Sequence, residues 1–239
     1  MDQEQTVTAI LGVGPGLGAA LAERFAAEGH ALALLSRSAR SRGPVLKKLA
    51  AAGNTVQGYD CDAGDADSVA AAFARVRDTL GDPAVLIYNA GSYAPGGILE
   101  IDPERFESAW RANCYGGFLA AREVLPAMLK AGAGTILYTG ATAALRGGAG
   151  FAGLAVGKFG LRALAQSLAR EFGPQGIHVA HVVIDGQIGT PAAHERQPER
   201  AEETFLAPEA IAENYWQLYR QPPNAWTQEL DLRPHVEKF

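Results

Sequence analysis

The chain has 239 residues, 48% of them hydrophobic and 20% charged, with a formal net charge of −5. That length and apolar content suffice for one buried core, and the acidic balance argues against nucleic acid or an anionic membrane as a partner. Two widely separated cysteines, Cys61 and Cys114, are too few for a disulfide framework, and Met1-Asp2-Gln3-Glu4-Gln5 lacks the basic and apolar regions of a signal peptide, so a cytoplasmic protein without a membrane span is expected.

Thr6 to Leu11 reads as a buried strand running into a glycine-rich turn, and Gly16 to Glu28 as a helix stopped by Gly29. Ala31 to Leu35 is an unbroken apolar run of strand length, the pattern of a parallel sheet covered on both faces. A helix from about Val45 to Ala52, a short strand from Thr55 to Gly58 and a helix from Asp65 to Leu80 follow, the last with an acidic first turn. Ala84 to Tyr88 is the fourth expected strand. Asp102-Pro103 starts a helix as N-cap and first helical residue, and that helix is expected to run to about Lys130, with a kink at Pro126. Thr135 to Thr139 reads as a strand, Phe151 to Phe172 as a long helix and Ile177 to Ile184 as a strand. The polar segment 190–207 reads as an irregular lid loop, Pro208 to Tyr219 as a helix and Trp226 to Leu230 as a last strand. No linker, charge block or repeat divides this alternation, so residues 1–239 read as one α/β domain with a doubly wound sheet.

Gly12-Val13-Gly14-Pro15-Gly16-Leu17-Gly18 lies between an expected strand and an expected helix. Glycines there let backbone N–H groups approach a pyrophosphate, and the helix N-terminus adds favourable partial charge. At the end of the next strand, Leu35-Ser36-Arg37-Ser38 carries no acid. A carboxylate there would hold the ribose 2′-hydroxyl of NAD(H) and repel a 2′-phosphate, whereas arginine binds phosphate in a fork. NADP(H) is therefore expected over NAD(H), with Arg37 as main contact and Ser36 and Ser38 as further donors.

These motifs, with Asn89-Ala90-Gly91, Asn113 and Lys158, resemble the short-chain dehydrogenase/reductase family over most of the chain. The resemblance implies a Rossmann fold with a mostly parallel, seven-stranded sheet, and a pyrophosphate cradle of Gly12, Gly16, Leu17 and Gly18. It implies adenine contact by Asp62 and Ala63, with Asp60 and Asp65 as nearby alternatives. Asn89, Ala90 and Gly91 resemble the segment beside the nucleotide ribose, with Tyr88 in place of its first asparagine. Lys158 resembles the lysine that bonds the nicotinamide ribose. Asp185-Gly186-Gln187-Ile188-Gly189-Thr190 resembles the segment that holds the nicotinamide amide, with Gly186, Ile188 and Thr190 as its contacts and Asp185 replacing a proline. A homodimer or homotetramer is also implied, built on the two long helices; small residues Ala155, Gly157, Gly160 and Ala163 would serve that contact or packing within one chain.

In this family a serine and a tyrosine hold the substrate oxygen, the tyrosine exchanges the proton, a lysine lowers the tyrosine pKa and an asparagine anchors a water. Asn113 and Lys158 match the asparagine and lysine. The tyrosine position, four residues before Lys158, is Leu154, and the serine position, thirteen before that, is Ala141. Thr142 could supply a hydroxyl, though bonding to local backbone is its ordinary role. Tyr93, Asp185 and His194 are substitute proton donors to weigh against structural roles as pocket wall, backbone partner and solvated loop residue. The resemblance thus implies an NADP(H)-dependent oxidoreductase acting on a small carbonyl or alcohol substrate by hydride transfer, with an altered catalytic site. The alternative is a catalytically inactive NADP(H)-binding protein acting as a sensor or interaction surface. No metal site is expected.

Overall fold

The computed structural model describes residues 5–237; Met1–Glu4, part of the polar start discussed above, lie outside the described residues. The first strand, β1 (Val7–Leu11), is buried at every position and feeds the glycine turn and α1 (Leu17–Ala26). β2 (Ala31–Ser36), α2 (Ala39–Ala51), β3 (Val56–Asp60), α3 (Ala66–Leu80) and β4 (Val85–Tyr88) complete the first half. The second half holds α4 (Pro103–Trp110), α5 (Gly116–Ala131), β5 (Gly134–Thr139), α6 (Ala152–Phe172), β6 (Ile177–Ile184), β7 (Gln187–Ile188), α7 (Pro191–Arg196), β8 (Phe205–Leu206), α8 (Pro208–Tyr219) and β9 (Glu229–Leu232).

Seven strands form one sheet in the order β3-β2-β1-β4-β5-β6-β9, with every neighbouring pair parallel, and β7 and β8 pair separately. Helices cover both faces. Phe73 of α3, Val124 of α5 and Leu161 of α6 pack on one face; Phe25 of α1, Leu49 of α2 and Tyr215 of α8 pack on the other. This two-sided burial explains the unbroken apolar run Ala31–Leu35 in β2 and the burial of every residue of β1. Strand order reverses between β1 and β4, and a parallel sheet opens its ligand crevice outside the carboxyl ends at such a point. The α/β Rossmann architecture with seven parallel strands is therefore as expected.

Four local expectations need correction. The second helix starts at Ala39, not Val45: the Ser38 hydroxyl accepts the Arg40 N–H as a cap, and Pro44 is carried inside the helix despite its missing donor. The helix expected from Asp102 to Lys130 is broken not at Pro126, which α5 accommodates, but by a π-turn at Arg111–Tyr115, where Gly116 N–H donates to Arg111 O. The last strand begins at Glu229 rather than Trp226, whose ring stacks on His178 and whose Nε1 donates to Gln221 O. The 190–207 segment is not irregular throughout, since it contains α7 and β8.

Candidate active site

A cleft of about 330 Å³ opens at the carboxyl ends of β1, β2 and β4. Gly12 forms its floor with a φ of 105°, and a Cβ there would come within 2.4 Å of Ala90 N, so the turn is pressed directly on the backbone that leaves β4. Asn89 fastens the same contact: its Nδ2 donates to Gly12 O at 2.9 Å. Gly16 is the N-cap of α1 and faces Thr190, while the Leu17 side chain is buried in the core beneath and leaves only its backbone for a ligand. Gly18 packs against Gly12 O and Val13, closing the turn.

The outer wall is Ser36, Arg37, Ser38 and Ser41, and the far wall Cys61, Asp62, Ala63 and Ala112. Arg37 is exposed and makes no hydrogen bond or ion pair with the other described residues. The two serine hydroxyls, Ser36 Oγ and Ser41 Oγ, both donate to Ser38 O, at 2.9 and 2.8 Å. Behind them lies a residue that sequence reasoning missed. The Arg42 guanidinium is buried and donates to Ser36 O and Ser36 Oγ, each at 3.1 Å, and to Asp60 Oδ1 at 2.5 Å. Among the three acids considered for adenine, Asp62 borders the cleft; Asp60 is held by Arg42, and Asp65 caps α3 through Ser68 N. Burial pushes the Cys61 thiol up to about 12, so it is an inert wall rather than a nucleophile.

Beyond the cleft, Asn113 and Lys158 are brought together. A Cβ at Gly91 would lie 3.0 Å from Asn113 Oδ1 and 3.7 Å from Lys158 Nζ. Asn113 is fully buried in the π-turn, where its Nδ2 donates to Ser92 O at 2.8 Å and Ala109 O at 2.9 Å, and its Oδ1 accepts from Ser92 N at 3.3 Å. Tyr88, which reads as a replaced asparagine, supports the same turn by donating to Ala112 O at 2.7 Å. The approach of α6 is allowed by Gly157, where a Cβ would come within 2.5 Å of Asn113 Cβ. Lys158 Nζ donates to Thr139 O at 2.7 Å, and burial lowers its pKa to about 8.

Leu154 is half-buried one helical turn before Lys158, and Ala141 is half-buried in extended backbone after β5. The Thr142 hydroxyl does not bond local backbone: it donates to Asp185 Oδ1 at 2.5 Å. Asp185 is correspondingly more than a backbone partner, since its buried carboxylate also faces Arg146 at 3.7 Å and Arg233 at 3.5 Å. Tyr93 is 67% exposed and packs on Phe151, while His194 lies against Phe205 and Glu202. Gly186 packs on Pro234 and Leu206, Ile188 pairs with Leu206, and Thr190 caps α7 and meets Gly16 of the glycine turn. No group of three His, Cys, Asp or Glu among the described residues is placed to hold a metal ion, and no described helix is long and apolar enough to cross a membrane.

The short chain dehydrogenase family profile matches residues 6–201. The chain is 32% identical over 181 residues to the 3-oxoacyl-(acyl-carrier-protein) reductase MabA of Mycobacterium avium, an alignment covering 76% of this chain and 66% of that protein. A solved short-chain dehydrogenase from Rhodopseudomonas palustris superposes with a TM-score of 0.83 at 40% identity, over 96% of this chain and 99% of the other. A metagenomic short-chain oxidoreductase solved in complex with NADP superposes with a TM-score of 0.84 at 25% identity, over 97% of this chain and 98% of the other. The glycine turn, the cleft at the strand-order reversal and these likenesses converge: the chain belongs to the short chain dehydrogenase family of NAD(P)-dependent oxidoreductases.

Proposed function

We propose that the protein binds NADP(H) in preference to NAD(H) and interconverts a carbonyl and an alcohol at a catalytic site that lacks the family's tyrosine and serine. The observation that carries the cofactor reading is Arg37, an exposed guanidinium without a protein partner on the wall of the cleft, where no acid stands beside it on β2. Gly12, Gly16 and Gly18 would hold a pyrophosphate through backbone N–H groups, Asp62 and Ala63 would meet the adenine, and Gly91 and Lys158 would meet the nicotinamide ribose. When bound, the nicotinamide supplies or accepts a hydride. The chain's own part is to orient and to manage a proton. Lys158, with a pKa of about 8, can hold or release one near neutral pH. Asn113 fixes Ser92 and the π-turn beside it. Leu154 and Ala141 offer the substrate oxygen no hydroxyl.

The segment after β4 carries Tyr93, Ile98 and Leu99, all well exposed, an apolar surface that suits a carbonyl with apolar substituents. The name of the M. avium relative, a 3-oxoacyl reductase, fits that class. Exposed Phe118 on α5 and Val156 and Phe159 on α6 support a second copy of the chain as partner. The absence of a hydroxyl at residues 154 and 141 favours a second reading, a nucleotide-binding protein without turnover.

Titration by nucleotide fluorescence separates these readings. The wild type should bind NADPH more tightly than NADH, and Arg37→Ala should lose about ten- to a hundredfold in NADPH affinity with little change for NADH. Equal wild-type affinities would remove the NADP(H) assignment. NADPH oxidation across a panel of aliphatic and aromatic carbonyls then tests turnover, and tight binding with no oxidation would leave the second reading standing.

A further inference from the structure

Asp60 ends β3 beside the strand end that carries Arg37, although it does not itself line the cleft. The register of β2 and β3 sets it directly beside Ser36, and its side chain is 73% exposed. Left alone, that carboxylate would face the same solvent as Arg37 and repel a 2′-phosphate. It is not left alone. Arg42 reaches it from α2, and the arrangement is asymmetric: the acid is exposed, but the guanidinium is only 7% exposed. Burying a guanidinium to meet an exposed acid is a poor way to gain stability, because desolvation of the cation offsets the attraction. Gly58 nevertheless clears a channel for it: a Cβ there would sit 2.8 Å from Arg42 Nε. Through that channel one nitrogen of the fork reaches Asp60, and the other holds Ser36 by both its carbonyl and its hydroxyl.

We propose that Arg42 is a specificity-determining residue that masks Asp60 and fixes the Ser36–Ser41 shelf, so that the wall of the cleft accepts the 2′-phosphate of NADP(H). Arg42 itself does not line the cleft; it is a positioning residue acting through Ser36 and Asp60. The inference rests on the reading that this cleft takes NADP(H). It assigns the preference to two arginines with different tasks. Arg37 meets the ligand, and Arg42 cancels the competing charge.

The test is a set of dissociation constants for NADPH and NADH, measured on the full chain for wild type, Arg42→Met, Arg42→Lys, Asp60→Asn and the double variant Arg42→Met/Asp60→Asn. Arg42→Met should weaken NADPH about tenfold and NADH less than about threefold, since an unmasked carboxylate opposes only the extra phosphate. Asp60→Asn alone should leave NADPH binding unchanged. The double variant should recover most of the lost preference, and Arg42→Lys should keep part of it, because an ammonium can neutralise Asp60 without holding Ser36 in a fork. A merely structural Arg42 would lower the melting temperature and weaken both nucleotides alike, and that result would overturn the proposal. So would a double variant no better than Arg42→Met. A wild type that binds both nucleotides equally would instead remove the NADP(H) reading beneath it.

Discussion

Lys158 is a cation stored in the core at a cost. Burial lowers its pKa from 10.5 to about 8, with Thr139 O as its hydrogen-bond acceptor. A depression of that size corresponds to about 3 kcal/mol favouring the neutral amine. Below about pH 8 the ammonium is charged in both folded and unfolded chains, and the folded state bears the full burial cost. Between about 8 and 10.5 the folded state gives up its proton first, so stability rises with pH. Lys158→Met should therefore melt higher than wild type at pH 7, with the advantage shrinking toward pH 10.5. Melting curves at pH 7, 9 and 10.5 would check this, and a difference that does not change with pH would contradict the burial argument. A residue that weakens the fold where the protein works is more readily explained by a role in chemistry than by one in packing.

At the scale of elements, the proposed chemistry rests on one turn of α6 and the exit of β5. Leu154 and Lys158 share a helix face, so Leu154→Tyr should set a phenol near the Lys158 amine, where a positive charge favours the phenolate. Ala141→Ser would add a hydroxyl at the end of β5. The double variant should gain NADPH-dependent carbonyl reduction of about 10²–10⁴-fold over its background, and each single variant should gain less. A folded, NADPH-binding double variant without gain would show that Leu154 and Ala141 do not stand at the missing positions. The elements on which this rests were legible to different degrees. The glycine turn and the parallel strands could be read because their signals are local: apolar runs of strand length and glycine at a strand-to-helix junction. The π-turn could not be read, because it is held by Tyr88 and Asn113 bonding across it from β4 and from within. The start of α2 was hidden by Gly43 and Pro44, which argue against a helix that the Ser38 cap and packing on β3 nonetheless impose. Arg42 with Asp60 and Thr142 with Asp185 are 18 and 43 residues apart, and only the folded sheet makes them neighbours.

Across the whole molecule, histidines buried in neutral form make the fold sensitive to acid. His30, His178 and His181 all have pKa values lowered by burial, His181 to about 4 even though its Nδ1 lies 3.2 Å from Glu229 Oε2. Above pH 6.5 these rings are neutral whether the chain is folded or not. As pH falls from 6.5 toward 4 the unfolded chain takes up protons that the folded chain refuses, so stability falls. The melting temperature should drop between pH 7 and 5, and His181→Gln should make that drop shallower. An equal drop in the variant would assign the acid sensitivity to other groups.

The order β3-β2-β1-β4-β5-β6-β9 also dictates a sequence of events during synthesis. β1 lies between β2 and β4, so its second edge stays unpaired until the chain through Tyr88 has emerged and β4 docks. Until then a strand apolar at all but Thr8 presents bare N–H and C=O groups, a template for pairing with any neighbouring nascent chain. Closing that gap joins segments far apart in the sequence, which is slow compared with forming the helices. The glycine turn at the end of β1 is therefore completed late: Asn89, which pins it, comes immediately after β4. The nucleotide cleft takes shape only when the two halves of the sheet meet, and ligand binding reports on that last closure.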